Sequence, residues 1–265
     1  MAHRVRLIAS DLDGTLLLNG AQSLQAGTPD LIHRLTTQGI IFLAASGRQY
    51  ANLQRLFAPV KNEICYLCEN GCLSFLDGEM LSQEFMPYEL GQELIREIKN
   101  EPGAEVMISG VDTSYIEDTN SEFCDHLRNE VHNNVRQVKD IFNTKEPYMK
   151  ISMYEKGGLQ RVDYWKEKFG DKCTVVTGGN EWLDCMPKGV HKGLAIKKIL
   201  ERLDIDPEDV IAFGDNENDR EMLSYVGCPI TMESARPDIR AFGKYTTDTV
   251  EHALERILDG EGYNW

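Results

Sequence analysis

The sequence predicts an α/β protein: a doubly wound, Rossmann-like parallel sheet interrupted by an inserted α+β domain. Three observations predict it. Short apolar runs recur, each passing into a small polar turn and then a helix-like stretch, which is the rhythm of β–α units. These units occupy the first quarter and the last third of the chain, while residues 83–185 show mixed helical and alternating patterns without such turns. A length of 265 residues is enough for two cores.

The first run, Val5-Arg6-Leu7-Ile8-Ala9, is too short and too β-branched for a helix and reads as a buried strand. It runs into Asp11-Leu12-Asp13-Gly14-Thr15. Open α/β sheets hold their ligands outside the carboxyl ends of the strands. Two carboxylates this close repel unless a cation or a proton intervenes, so a divalent metal, a shared proton or both are expected here. Turn-making or helix capping is the competing reading for an isolated motif of this kind. A calcium loop is excluded, because its sixth and twelfth positions would be Leu16 and Gln22 rather than Gly and Glu.

Ile40–Ala45 is the second strand, followed by Ser46-Gly47-Arg48 and a helix over Gln49–Phe57. Ser46 offers a hydroxyl and the turn offers N–H groups to an anion; a plain N-cap by Ser46 explains the same residues. Ile64–Cys68 is a third strand, ending at Asn70-Gly71.

The inserted region begins with an amphipathic helix over Tyr88–Asn100, stopped by Pro102-Gly103. Glu105–Ser109 and Ser114–Glu117 form a hairpin, Ser121–Val131 is helical, and Tyr148–Tyr154 alternates as a strand. Gly158–Phe169 is helical, and Lys172–Thr177 with Glu181–Cys185 form a last strand pair. Pro87 and Pro187 fit chain breaks at the two joints, which puts the core at 1–82 and 186–265.

Val190-His191-Lys192-Gly193 then opens an amphipathic helix. A lysine at a helix start opposes the macrodipole and is better explained if an anion sits there. Val210–Gly214 is another strand, ending in Asp215-Asn216-Glu217-Asn218-Asp219; three acids within five residues repel unless a cation offsets them. Cys228–Met232 is a strand, and Ala235–Phe242 and Val250–Leu258 are helices.

Four strand-end turns thus appear in order: acid pair, serine, lysine, acid cluster. With Asp11-x-Asp13-Gly14-Thr15, Ser46-Gly47-Arg48, Lys192-Gly193 and Gly214-Asp215-x-x-Asn218-Asp219-x-x-Met222, the chain resembles the haloacid dehalogenase superfamily of phosphotransferases. Within it, the chain is similar to the Cof-type sugar-phosphate phosphatases, and Asn70-Gly71 resembles their substrate-side turn.

The resemblance implies a cap over a phosphate site, Mg²⁺ as cofactor and a small phosphorylated metabolite, in all expectation a sugar phosphate, as substrate. It implies Asp11 as nucleophile and Asp13 as general acid and base, with Ser46 and Lys192 on the phosphoryl oxygens. It implies metal binding by Asp11, the backbone carbonyl of Asp13 and Asp215, with Asp219 orienting metal-bound water. Gly47, Arg48, Asn70 and Asn218 are candidate substrate contacts. A general acid at Asp13 suits an alcohol leaving group, hence a phosphatase or a phosphomutase. The mutases of this superfamily carry a helical cap near the first motif, and about thirty residues between Asp13 and Ser46 are too few for one. A non-catalytic sensor of a phosphorylated ligand would not need both Asp11 and Asp13.

A net charge of −15 argues against nucleic acid and against anionic membranes as partners. The expected location is the cytoplasm, because the apolar stretch near Met1 is short and broken by Asp11 and Asp13, unlike a signal peptide. The odd count of seven cysteines, including Cys65 and Cys68 within a strand, reads as buried free thiols. Oligomeric state is not legible.

Overall fold

A computed structural model describes residues 4–260 of the chain, so positions 1–3 and 261–265 of the expected core lie outside the described residues. The first segment comprises β1 (Leu7–Ser10), α1 (Thr28–Thr37), β2 (Ile41–Ala45), α2 (Tyr50–Leu56), β3 (Cys65–Cys68), β4 (Leu73–Leu76) and β5 (Glu79–Gln83). The middle holds α3 (Tyr88–Lys99), β6 (Ala104–Ser109), β7 (Ser114–Glu117), α4 (Ser121–Asp125), β8 (Val135–Val138), β9 (Lys150–Glu155), α5 (Val162–Phe169), β10 (Cys173–Gly178) and β11 (Trp182–Pro187). The chain closes with α6 (Lys192–Leu203), β12 (Val210–Gly214), α7 (Arg220–Tyr225), β13 (Cys228–Met232), α8 (Pro237–Arg240), β14 (Tyr245–Thr247) and α9 (Val250–Leu258).

The first and last segments share one eight-stranded sheet, ordered β14-β13-β12-β1-β2-β3-β4-β5. From β14 to β3 the pairing is parallel. Strands β1, β3 and β12 are buried along their whole length, as strands covered on both faces must be, which is why they read as unbroken apolar runs. The strand order reverses at β1, so the crevice between the ends of β1 and β12 is the switch point where such sheets bind ligands.

The sheet is not wholly parallel. β4 and β5 extend it as an antiparallel meander, and β5 leaves Met80 exposed at the edge. The helix expected from residue 158 starts only at Val162, because Gly157 and Gly158 take left-handed backbone at φ 90° and 116°. The helix expected over 121–131 is α-helical only through Asp125 and continues as a wider π-type turn over His126–Glu130. Helix α8 is confined to four residues within the expected 235–242.

The middle segment forms a second sheet, ordered β10-β11-β9-β6-β7-β8 and antiparallel except for β7 with β8. Its period-two alternation sends Val106, Ile108, Ile151, Met153 and Leu183 into a core with Leu94, Ile98, Trp165 and Phe169 of α3 and α5. The intervening positions, among them Met107, Lys150, Ser152, Trp182 and Asp184, stand on the opposite face. That face lies over the β1–β12 crevice, since Lys150 and Asp184 bond to Gly47 and Asn70 of the core. The α+β insertion is therefore a cap. All seven cysteines are free and buried, and no described helix is long and apolar enough to cross a membrane.

Candidate active site

Asp11 leaves the end of β1 and Asp215 the end of β12, neighbours in the sheet, so the fold itself sets their carboxylates together. Asp11, Asp215 and Asp219 each bring a carboxylate oxygen within 4.8 Å of the others. The Lys192 ammonium is fully buried between two of them, 2.5 Å from Asp11 Oδ1 and 2.7 Å from Asp219 Oδ1. These carboxylates are the anions that the lysine's place at a helix start called for. His191 caps that helix, its Nδ1 accepting from the Leu194 N–H.

Asp219 is a brace. Its Oδ2 accepts the N–H groups of Asp215 and Asn216 at 3.0 and 3.1 Å, which shapes the turn carrying Asp215. Thr15 donates its hydroxyl to Asp215 Oδ1 at 2.7 Å, tying the first motif to the last. Gly14 makes room for that contact: it sits at φ 90°, and a Cβ there would lie 2.4 Å from Asp215 Oδ2. Gly14→Ala is expected to displace Asp215, costing about 1–3 kcal/mol of stability from backbone strain. A divalent cation held between Asp11 and Asp215 should then bind about tenfold more weakly, because one of its donors is misoriented; thermal unfolding and calorimetric titration with Mg²⁺ check both.

The site is short of positive charge: three carboxylates face one ammonium. Burial, then the Asp219 carboxylate, push the Asp11 carboxyl well above its usual range despite Lys192. The same causes raise Asp215 to about 6, against the Thr15 hydrogen bond. Burial alone would pull Lys192 down, but Asp11 and Asp219 hold it above the ordinary lysine value. An all-oxygen donor set with uncompensated negative charge fits a hard divalent cation such as Mg²⁺.

The Asp13 side chain stands apart from this cluster; the metal contact that the resemblance implies there is the backbone carbonyl, which the direction of the carboxylate leaves untouched. Its carboxylate is more than half exposed and is held by Arg48, whose Nε and Nη2 donate at 2.9 and 2.5 Å. Asp13 and Arg48 still line the same pocket as Asp11 and Asp215, a cavity of about 850 Å³ between core and cap. Gly47, Asn70 and Asn218 line it too. Ser46 and Lys192 lie just beneath its surface, 1% and 0% exposed. Ser46 Oγ accepts from the Arg48 N–H and shapes its own turn rather than capping α2.

Beside this cluster is an ion network that the sequence patterns did not single out. Lys150 Nζ, 3% exposed on β9, donates to Glu69 Oε2 at 2.7 Å, Asp184 Oδ2 at 3.1 Å and the Gly47 carbonyl at 2.9 Å. Asp184 also accepts from Ser152 Oγ and Asn70 Nδ2, and Asn70 Oδ1 accepts from Asn218 Nδ2. Glu69 and Asn70 are held in the left-handed region, at φ 48° and 57°, strain that the network maintains. The signal was present in β9: Lys150, Ser152 and Tyr154 are polar positions alternating with a buried apolar face.

The model of the haloacid dehalogenase-like hydrolase family matches residues 8–254. The chain is 26% identical over 257 residues to the 5-amino-6-(5-phospho-D-ribitylamino)uracil phosphatase of Escherichia coli (strain K12), covering 96% of this chain and 94% of that one. It is 28% identical over 268 residues to the HMP-PP phosphatase of Escherichia coli O157:H7, covering 96% of both. A solved structure from Eubacterium rectale superposes with a TM-score of 0.83 at 29% identity, covering 97% of this chain and 98% of that one. The chain belongs to the haloacid dehalogenase-like hydrolases, in the Cof-type branch that its motifs resemble.

Proposed function

We propose that this hydrolase is a Mg²⁺-dependent phosphatase that releases phosphate from a small phosphorylated metabolite, a sugar phosphate in class, through an aspartyl-phosphate on Asp11. The observation that carries the reading is the cluster of Asp11, Asp215 and Asp219 at the switch point of the sheet, with buried Asp11 and Asp219 sharing one buried lysine and Asp215 half-buried beside them. The phosphatase names of both relatives support it. The same reading takes 83–185 as the cap and 1–82 with 186–265 as the core.

Asp11 and Asp215, with the backbone carbonyl of Asp13, would hold the ion. Bound there, Mg²⁺ would screen the repulsion between a carboxylate nucleophile and a phosphate dianion. Asp11 attacks phosphorus, its O–P bond forming as the bond to the leaving oxygen breaks. That step removes the negative charge of Asp11, which frees the Lys192 ammonium to meet the phosphoryl oxygens as charge builds on them. Asp13 protonates the leaving oxygen, then takes a proton from the water that attacks the aspartyl-phosphate. Orthophosphate departs and Asp11 is regenerated. The Arg48 pair must open for Asp13 to take up a proton from solvent and then deliver it to the leaving oxygen.

Phosphate release from a panel of sugar phosphates and other phosphorylated metabolites, with Mg²⁺ and with EDTA, tests the reading. Release should fall about 100-fold or more on chelation and return with Mg²⁺, given what a bound ion contributes to phosphoryl transfer. Release indifferent to chelation sinks the metal. No release from any ester by folded protein sinks the hydrolase chemistry.

A further inference from the structure

The pocket has two chemically different ends. The core end holds Asp11, Asp13 and Asp215. The cap end is lined by Met107, His126 and Trp182, with Glu130, Glu181 and Asn133 among them. The aromatic wall is built up in depth. Tyr154 stacks on His126 at 5.2 Å and packs on Trp182 at 4.9 Å, and Phe123 stacks behind Tyr154 at 5.3 Å. Such a wall offers a flat surface to an unsaturated ring.

The acids that line this end outnumber its bases: Glu130 and Glu181 face the cavity, and His126, the base among the lining residues there, is already paired with Glu130. Glu181 is pinned by the Gly157 N–H at 2.6 Å and the Tyr154 hydroxyl at 3.4 Å, and Glu130 by the His126 ring at 2.8 Å. Among the described residues, the lysine and arginine that line the pocket are Lys150 and Arg48, and both are already bound to carboxylates. Asn133 adds a buried Oδ1 with no hydrogen-bond partner among the described residues. A leaving group carrying a carboxylate or a second phosphate would meet Glu130 and Glu181 with no free cation to receive it.

We propose that the site selects monoesters whose leaving group is uncharged or cationic and bears a flat unsaturated ring, with Glu130 and Glu181 rejecting a second negative charge. The proposal rests on the phosphatase reading and narrows it to phosphorylated metabolites, sugar or sugar-alcohol phosphates among them, whose leaving group also carries such a ring. Selection of this kind works by repulsion of the wrong ligand as much as by attraction of the right one.

The test is kcat/KM with Mg²⁺ for 2-naphthyl phosphates that carry a carboxamide, a carboxylate or an aminomethyl group at ring position six, remote from the ester. The carboxamide should exceed the carboxylate by about tenfold or more, the scale of one like-charge contact in a partly wet site. The aminomethyl ester should at least match the carboxamide. In Glu130→Gln/Glu181→Gln the carboxamide-to-carboxylate ratio should fall to within about threefold of unity, and Glu130→Gln alone, at an exposed position, should move it part of the way. Trp182→Ala should lower kcat/KM for all three naphthyl esters relative to a small aliphatic phosphate. A ratio near one in the wild type, or one unmoved by the substitutions, overturns the charge selection. Turnover of metabolites but not of any naphthyl ester overturns the ring preference alone. No release from either set overturns the phosphatase reading, and this inference with it.

Discussion

Asp11→Asn is expected to abolish phosphate release while raising the stability of the metal-free protein. The two effects have one cause. In the mechanism proposed here Asp11 is the attacking group, and an amide in its place has no charge with which to attack, a loss of about 10⁴-fold or more by comparison with other removed nucleophiles. Yet without a cation Asp11 is also a liability. It is buried among Asp215 and Asp219, and its raised proton affinity reports that the ionised form is disfavoured there. An amide carbonyl at position 11 still accepts from Lys192, and Lys192 keeps Asp219. Relief of about 1 kcal/mol should raise Tm in EDTA by about 2–4 °C for a chain of this size. The Tm gain on adding Mg²⁺ should shrink, because one ligand charge is gone. Retained turnover, or a lower Tm in EDTA, would mean that Asp11 is a structural acid rather than the nucleophile of a metal site.

That site was legible in the sequence to the extent that its parts lie at strand ends. β1, β2, β3 and β12 are buried on both faces, so their apolar runs could be found and the residues following them named. Which atoms meet was not legible. Nothing in the spacing of Asp11 and Asp13 says that one turns toward Asp215 while the other turns toward Arg48; the Gly14 turn decides that. Strands β4 and β5 escaped notice because β5 lies at the sheet edge, half in solvent, without an alternating pattern. β8 is likewise a half-exposed edge strand, and β14 has three residues. Lys150 and Asp184 meet through the pairing of β9 with β11, 34 residues apart, and Glu69, 81 residues from Lys150, joins them only after the cap has folded over the core; no local pattern encodes either separation.

Lys150→Met should be among the most destabilising single substitutions in this chain. The ammonium is the cation at the centre of a buried joint between core and cap, with Glu69 from one side and Asp184 from the other. Against the pull of burial, these two carboxylates hold Lys150 protonated, above the ordinary lysine value. Burial already raises the Glu69 carboxyl, and Lys150 is the main influence opposing that rise. Removing the lysine leaves two buried carboxylates facing each other, a loss of about 3–5 kcal/mol. Tm should fall by about 10 °C in a domain-sized protein. The damage should extend to turnover, since Asp184 anchors the Asn70 amide, and Asn70 in turn holds Asn218 on the Asp215 turn. Adding Glu69→Gln to Lys150→Met should restore much of the lost stability, because it removes one of the two opposed charges, while leaving the Gly47 carbonyl without its donor. A double-mutant cycle in Tm and in kcat/KM therefore separates the two roles. Stability should be strongly coupled between positions 69 and 150. Activity should recover less than stability, because an uncharged side chain at position 150 cannot draw the Gly47 turn and the cap strand together. A Lys150→Met protein that melts within about 2 °C of the wild type would show that the joint is wet and screened, with the cap held instead by contacts such as Lys166 with Glu217.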